Sequence, residues 1–271
     1  MAAMTKPDPA ESRWRVLRLK QTASTNDEAA AYIASGGVLP VAFVADHQTA
    51  GRGQHGRAWS SPPGAGLYAS FAFQPALDPA QVPLLSLVGG LAVLDLAQPW
   101  LPVKLALKWP NDVWVSEGAQ RGRKLAGILV EGSVGTDRVE HIVLGVGLNL
   151  REVDRGPGVD AVSVEGLADG ASASVPDMEG LARALAQHLD TRLQLLQSQG
   201  PSAVVAAWRP RAFGLGERAV WTDDRTTLEG TFVGVSEGGA ARLDTGGEVR
   251  ELHHGRFVEL AGIRPPKAAE R

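Results

Sequence analysis

The chain has 271 residues, room for one large domain or two modest ones, and its 27 Lys+Arg against 30 Asp+Glu leave a net charge of −3. That balance gives no global basic excess for coating nucleic acid or an anionic membrane, so any anion site must be local. The absence of cysteine excludes disulfides, thiolate zinc sites, iron–sulfur clusters and cysteine nucleophiles. Residues 1–13 lack a hydrophobic signal core and read as a disordered tail, no apolar run reaches the length of a membrane span, and a cytoplasmic protein is expected.

From Trp14 to Leu19 bulky and basic residues alternate as in a half-buried strand. Hydroxyl and amide residues Thr22 to Asn26 then precede Asp27, Glu28 and an alanine run that Gly36-Gly37 stops, which predicts a helix over about 25–35. Val41–Ala45 is continuously apolar, as in a strand covered on both faces, and 66–73 alternates as another strand, with a loop over 46–65 between them. Asp78-Pro79 opens a buried helix over 79–98. Strands follow at 103–109, 113–115, 124–131 and 139–150. Asp177 starts a helix with leucines at 181, 185, 189, 193 and 196, one packed stripe, and Gly200-Pro201 ends it. A short helical stretch runs through Trp208. Beyond Gly214 four or five short strands separated by turns suggest a small barrel that leans on the first domain. The expected division is 14–212 and 213–262, with 263–271 a second tail.

The chemistry concentrates in the first long loop, Gln48-Thr49-Ala50-Gly51-Arg52-Gly53-Gln54-His55-Gly56-Arg57-Ala58-Trp59. Gly51-x-Gly53-x-x-Gly56 matches the dinucleotide fingerprint literally, but that fingerprint turns directly from strand into helix, and Pro62-Pro63 prevent a helix here. What remains is a cationic, glycine-rich loop. No Asp or Glu occurs from His47 to Leu77, and arginine donors with closely approaching backbone amides suit a phosphate or carboxylate, although a solvated basic turn has the same composition. Lys108-Trp109-Pro110-Asn111-Asp112 at a strand end suits either a ligand crevice or a plain turn, and Lys124 opens an apolar strand as either a ligand group or a snorkelling lysine. Gly145, Gly147 and Asn149 share one strand face, a flat strip that admits a flat ligand or close-packed backbone. Trp59, Trp109 and Trp114 serve core filling or base stacking.

Taken in order, Ser24-Thr25-Asn26, the Gly51–Trp59 loop, Lys108–Asp112, Lys124–Leu129 and Gly145–Asn149 resemble the biotin-protein ligases, in the form without an N-terminal DNA-binding domain. The resemblance spans about 14–262. It implies an α+β fold: a mixed-sheet catalytic domain with packed helices, like class II aminoacyl-tRNA synthetases, followed by a small Src-homology-3-like barrel. It also implies ATP-dependent activation of biotin to biotinyl-5′-AMP with Mg2+, then transfer to a lysine of a biotin carboxyl carrier domain. Ser24, Thr25, Asn26 and Gln48 become contacts for the biotin ring. Arg52 and Lys124 become the catalytic cations, and Gly51, Gly53, Gln54 and Gly127 line the biotin side. Arg57, Trp59, Lys108, Asn111, Asp112 and Asn149 fall to the nucleotide, with Asp112 a candidate magnesium ligand.

Two departures stand out. The family loop commonly reads Gly-Arg-Gly-Arg-Arg-Gly-Arg, whereas here the middle pair is Gln54-His55, which predicts looser retention of the adenylate. Thirteen residues before Trp14 are too few for a winged-helix domain, so no specific DNA binding is expected, and the chain is expected to be a monomer or weak homodimer. The alternatives are a lipoate-protein ligase or acyltransferase of the same fold and a non-catalytic ligand-binding module.

Overall fold

A computed structural model describes residues 13–153, 160–168, 177–223 and 225–264. The expected tails therefore lie almost entirely outside the described residues. The larger sheet has seven strands in the order β1-β2-β3-β7-β6-β5-β4: β1 (Arg15–Leu19), β2 (Val41–Ala45), β3 (Gly66–Phe73), β4 (Leu105–Lys108), β5 (Asp112–Val115), β6 (Lys124–Val134) and β7 (Val139–Asn149). Only the β1–β2 pair is parallel, joined through α1 (Thr25–Ala34), and the other pairs run antiparallel. The result is the mixed α+β architecture that the resemblance implied.

Strand β3 differs from its reading as an alternating, half-exposed strand. All eight of its residues are buried, because β2 and β7 flank it while helices cover both faces. On one face, α1 packs its Ala29 with Val41, Phe43, Ala72 and Val143. On the other, α2 (Leu84–Ala97) and α4 (Met178–Gln199) share the main core with Leu67, Phe71, Leu144 and Leu148. The leucine stripe of α4 at 181, 185, 189, 193 and 196 is wholly buried, and Gly200 ends the helix at φ 79°. Helix α2 starts five residues later than 79–98 predicts. Asp78 does form a capping box, but over a single 3-10 turn at Pro79–Gln81, and Pro83, which has no N–H, sits at the α2 N-cap.

After α5 (Pro201–Trp208), the strands β8 (Arg218–Thr222), β9 (Thr227–Val235), β10 (Ala241–Asp244), β11 (Val249–Leu252) and β12 (Arg256–Leu260) form an antiparallel sheet ordered β11-β10-β9-β8-β12. This small sheet does lean on the larger one. The Trp109 indole donates to Gly239 O at 2.9 Å and meets the Phe257 ring edge-on at 5.8 Å, while Trp208 meets Phe232.

Candidate active site

The register of the larger sheet explains why residues far apart in the chain meet. Ser70, Gly145 and Leu129 lie opposite one another across β3, β7 and β6. The next row on that face runs Tyr68, Gly147, Gly127, Asp112 and Lys108 across β3, β7, β6, β5 and β4. Opposed residues in a sheet point to the same side, so polar groups near α1 and cations near β4 share a floor of glycines.

At the α1 end, three of the predicted ring contacts, Thr25, Asn26 and Gln48, are joined in one hydrogen-bond network, and Ser24 stands beside it. Ser24 occupies the N-cap but its hydroxyl does not cap the helix. Instead, Gln48 Oε1 accepts from the Thr25 N–H at 2.8 Å and from its hydroxyl at 3.0 Å, and the Gln48 amide donates to Ser61. Ser70 was not foreseen. Its hydroxyl lies 2.7 Å from Thr25 Oγ1 and 2.5 Å from Asn26 Oδ1, deep beneath the pair. Gly145 is required here, since a Cβ would enter the Asn26 amide.

The glycine-rich loop is a tight hairpin rather than an open turn. Arg52 bridges Ala58, Gly53 N–H donates to Arg57 O at 2.7 Å, and Trp59 N–H donates to Gly51 O at 2.8 Å. The tip at His55 and Gly56 turns through φ 56° and 70°, the second at no steric cost. The hairpin lays Trp59 across the strip, where a Cβ on Gly147 would occupy its indole and one on Gly127 would sit 3.0 Å from it. The strip thus accepts a flat aromatic ring, here supplied by the chain itself. The Trp59 Nε1 is buried without a hydrogen-bond partner among the described residues, at a cost of about 1–3 kcal/mol for such a group.

At the far end Lys124 Nζ lies 2.5 Å from Asp112 Oδ1 and 5.0 Å from the Trp59 ring, and Lys108 Nζ lies 3.9 Å from Asp112 Oδ2 and 4.9 Å from the Trp114 ring. Burial pushes the Lys108 ammonium down to about 8; Asp112 opposes that shift, while Lys124, Arg57 and Arg256 add to it. Burial works to raise the Asp112 carboxyl, but Lys124 and Lys108 outweigh it and hold the group below its ordinary value. Asp112 is therefore a carboxylate already compensated by two ammonium groups. It does not fit a dedicated magnesium ligand, which needs its negative charge available to the cation. No cluster of three metal-ligating side chains occurs among the described residues.

The remaining expected positions divide. Asn111 and Asn149 are buried and brace backbone: the first donates to Ile128 O at 2.6 Å, the second to Val162 O at 3.0 Å. Arg57 is exposed and donates to Gln54 O, and Gln54 and His55 line a cleft of about 280 Å³ with Trp109, Pro110, His253 and His254, facing the small sheet. Arg52 is held by two carboxylates that motif reading did not single out, Asp27 at 2.6 Å and Glu131 at 3.4 Å. The Asp27 hydrogen bond raises the Arg52 guanidinium above its already high ordinary value. Neither carboxylate lies near Arg52 in sequence, so no spacing pattern signals the pair.

Known proteins resemble this chain in sequence and in fold. The model of the biotin/lipoate A/B protein ligase family matches residues 21–149. A biotin–[acetyl-CoA-carboxylase] ligase of Mycobacterium tuberculosis is 36% identical over 258 residues, covering 93% of this chain and 91% of that protein. One from Paracoccus denitrificans is 35% identical over 234 residues, covering 83% and 92%. Among solved structures, a biotin protein ligase from Aquifex aeolicus in complex with biotin and ATP superposes with a TM-score of 0.72 at 26% identity, covering 90% of this chain and 97% of that one.

Proposed function

Since the chain belongs to the biotin/lipoate A/B protein ligase family and is a biotin-protein ligase that uses ATP, we propose how its own residues divide that work. The observation that carries the proposal is the single floor of glycines with hydroxyl and amide groups at one end and paired lysines at the other. A ureido ring needs donors and acceptors in fixed positions, and Thr25, Asn26 and Gln48, braced by Ser70 and Ser61, offer both. Ser24 completes that end. Gly51, Gly53, Gln54 and Gly127 line the path from the ring to the cations.

Arg52 and Lys124 take the reacting charge. In the first step a biotin carboxylate oxygen bonds to the α-phosphorus of ATP, the bond to pyrophosphate breaks, and biotinyl-5′-AMP forms. In the second, a lysine amine of a biotin carboxyl carrier domain attacks the acyl carbon, AMP departs with its oxygen, and the amine loses a proton. Both steps build negative charge on oxygen, and cations fixed before reaction lower that barrier without reorganising. Trp59 flanks the adenine, and Arg57, Lys108, Asn111, Asp112 and Asn149 serve the nucleotide side. Magnesium, when present with ATP, supplies charge neutralisation on the phosphates.

We further propose a catalytic domain over 14–212 and a barrel over 213–262, a cytoplasmic location, a monomer or weak homodimer, and no specific DNA binding. Among the described residues no helix is long and apolar enough to cross a membrane. The net charge of −3 supports the absence of DNA binding, and a gel shift with biotin and ATP present that gave a specific operator complex would overturn it. The test of the residue assignment is biotin-dependent exchange of pyrophosphate into ATP. Arg52→Ala and Lys124→Ala should each lower it about 100- to 1,000-fold, the scale of losing a pre-placed charge donor. Loss under 3-fold in either variant would remove that residue from the chemistry.

A further inference from the structure

The Arg52 side chain is not idle in the free protein. One terminal nitrogen donates to both oxygens of Asp27, at 2.6 and 2.7 Å, and the other faces the Glu131 carboxylate at 3.4 and 3.5 Å. Two carboxylates thus share one guanidinium. They differ in how firmly they are fixed. Both are exposed, but Glu131 also accepts from the Asn26 amide at 2.6 Å, whereas Asp27, in the first turn of α1, has no second side-chain partner among the described residues. Carboxylate recognition by arginine uses parallel N–H donors along one edge of the planar group. Asp27 already occupies a terminal donor that an incoming carboxylate requires.

We propose that Asp27 is a positioning residue that competes with the substrate carboxylate for Arg52. It keeps the guanidinium over the site while the site is empty and yields it when the anion arrives. The inference rests on the reading that Arg52 receives the biotin carboxylate. Its consequence is selective: Asp27 weakens the binding of a ligand that brings negative charge to Arg52 and leaves a neutral analogue alone. The contest is between exposed groups, so the effect is modest.

The experiment measures dissociation constants of biotin and of biotin methyl ester by calorimetry on the full chain, for the native protein, Asp27→Asn, Arg52→Met and the double variant. Asp27→Asn should tighten biotin about 2- to 5-fold, the worth of one exposed ion pair, and leave the ester unchanged. In the Arg52→Met background that gain should vanish, because the contested donor is gone. A general charge effect would instead persist without Arg52. Persistence of the gain, an equal gain for the ester, or weaker biotin binding in Asp27→Asn would each overturn the proposal. Biotin binding in Arg52→Met as tight as in the native protein would overturn the underlying reading of Arg52, a result distinct from any of these.

Discussion

Lys108 carries a charge whose environment makes it pH-sensitive in a usable range. Its ammonium falls from an ordinary 10.5 to about 8, first through burial, so in the free protein the charge is present below about pH 8 and lost above it. If that charge serves the nucleotide, kcat/KM for ATP should decline as pH rises through 8, and Lys108→Arg, which stays ionised, should be flat from about pH 7 to 9. A native profile flat across that interval would remove Lys108 from ATP binding. Stability moves the other way: the folded state binds the proton less tightly than the unfolded one, so this group's contribution rises from about pH 8 towards 10.5. At the loop tip, Gln54 stands where the family commonly has arginine, and Gln54→Arg should reduce labelling of bystander lysines at equal turnover; no reduction would sink the leaky-adenylate expectation. The cations and hydroxyls at this scale were legible as motifs, because chemistry restricts which side chains serve. Asp27, Glu131 and Ser70 were not, since each acts through a partner at least 25 positions away in the chain.

Strand β7 shows how an element serves both core and ligand. Leu144, Val146 and Leu148 face the main core, while Gly145 and Gly147 on the opposite face leave space that Asn26 and Trp59 fill. Gly147→Ala places a methyl group inside the present Trp59 ring position, so the indole must leave. The expected result is a changed tryptophan emission in the free protein and a raised KM for ATP with the fold kept. Unchanged emission together with unchanged KM would show that Trp59 does not rest on the strip in solution. The core side of the fold answers to ordinary packing: Leu189→Ala in the α4 stripe should cost about 2–5 kcal/mol in denaturant unfolding. The α4 stripe was readable from its 3.6-residue period and caps. Helix α2 was readable only in part, since an apolar run buried all round carries no period to mark its start, and Pro83 decides it. The burial of β3 on both faces follows from its central place in the sheet, which alternation along one strand does not reveal.

Across the whole molecule the two sheets are tied through aromatic contacts beside the cation cluster. Trp109 follows Lys108 directly, and its indole reaches Gly239 O in the turn before β10 and the Phe257 ring in β12. Trp109→Ala should therefore cost about 3–5 kcal/mol and also raise KM for ATP, because the same residue anchors the small sheet and seats Lys108. The small strand-rich unit was legible in its turn residues, and its leaning on the larger one in its short length; which side chains dock it was not, since tryptophan serves either core or ligand. The central claim is that this arrangement activates biotin as an acyl adenylate. The most direct measurement is exchange of labelled pyrophosphate into ATP by the full chain with biotin, and in parallel with lipoate. The account predicts exchange that depends on biotin, is negligible with lipoate and falls about 100-fold or more in Lys124→Ala. Exchange with lipoate alone, or none with either acid, would contradict it.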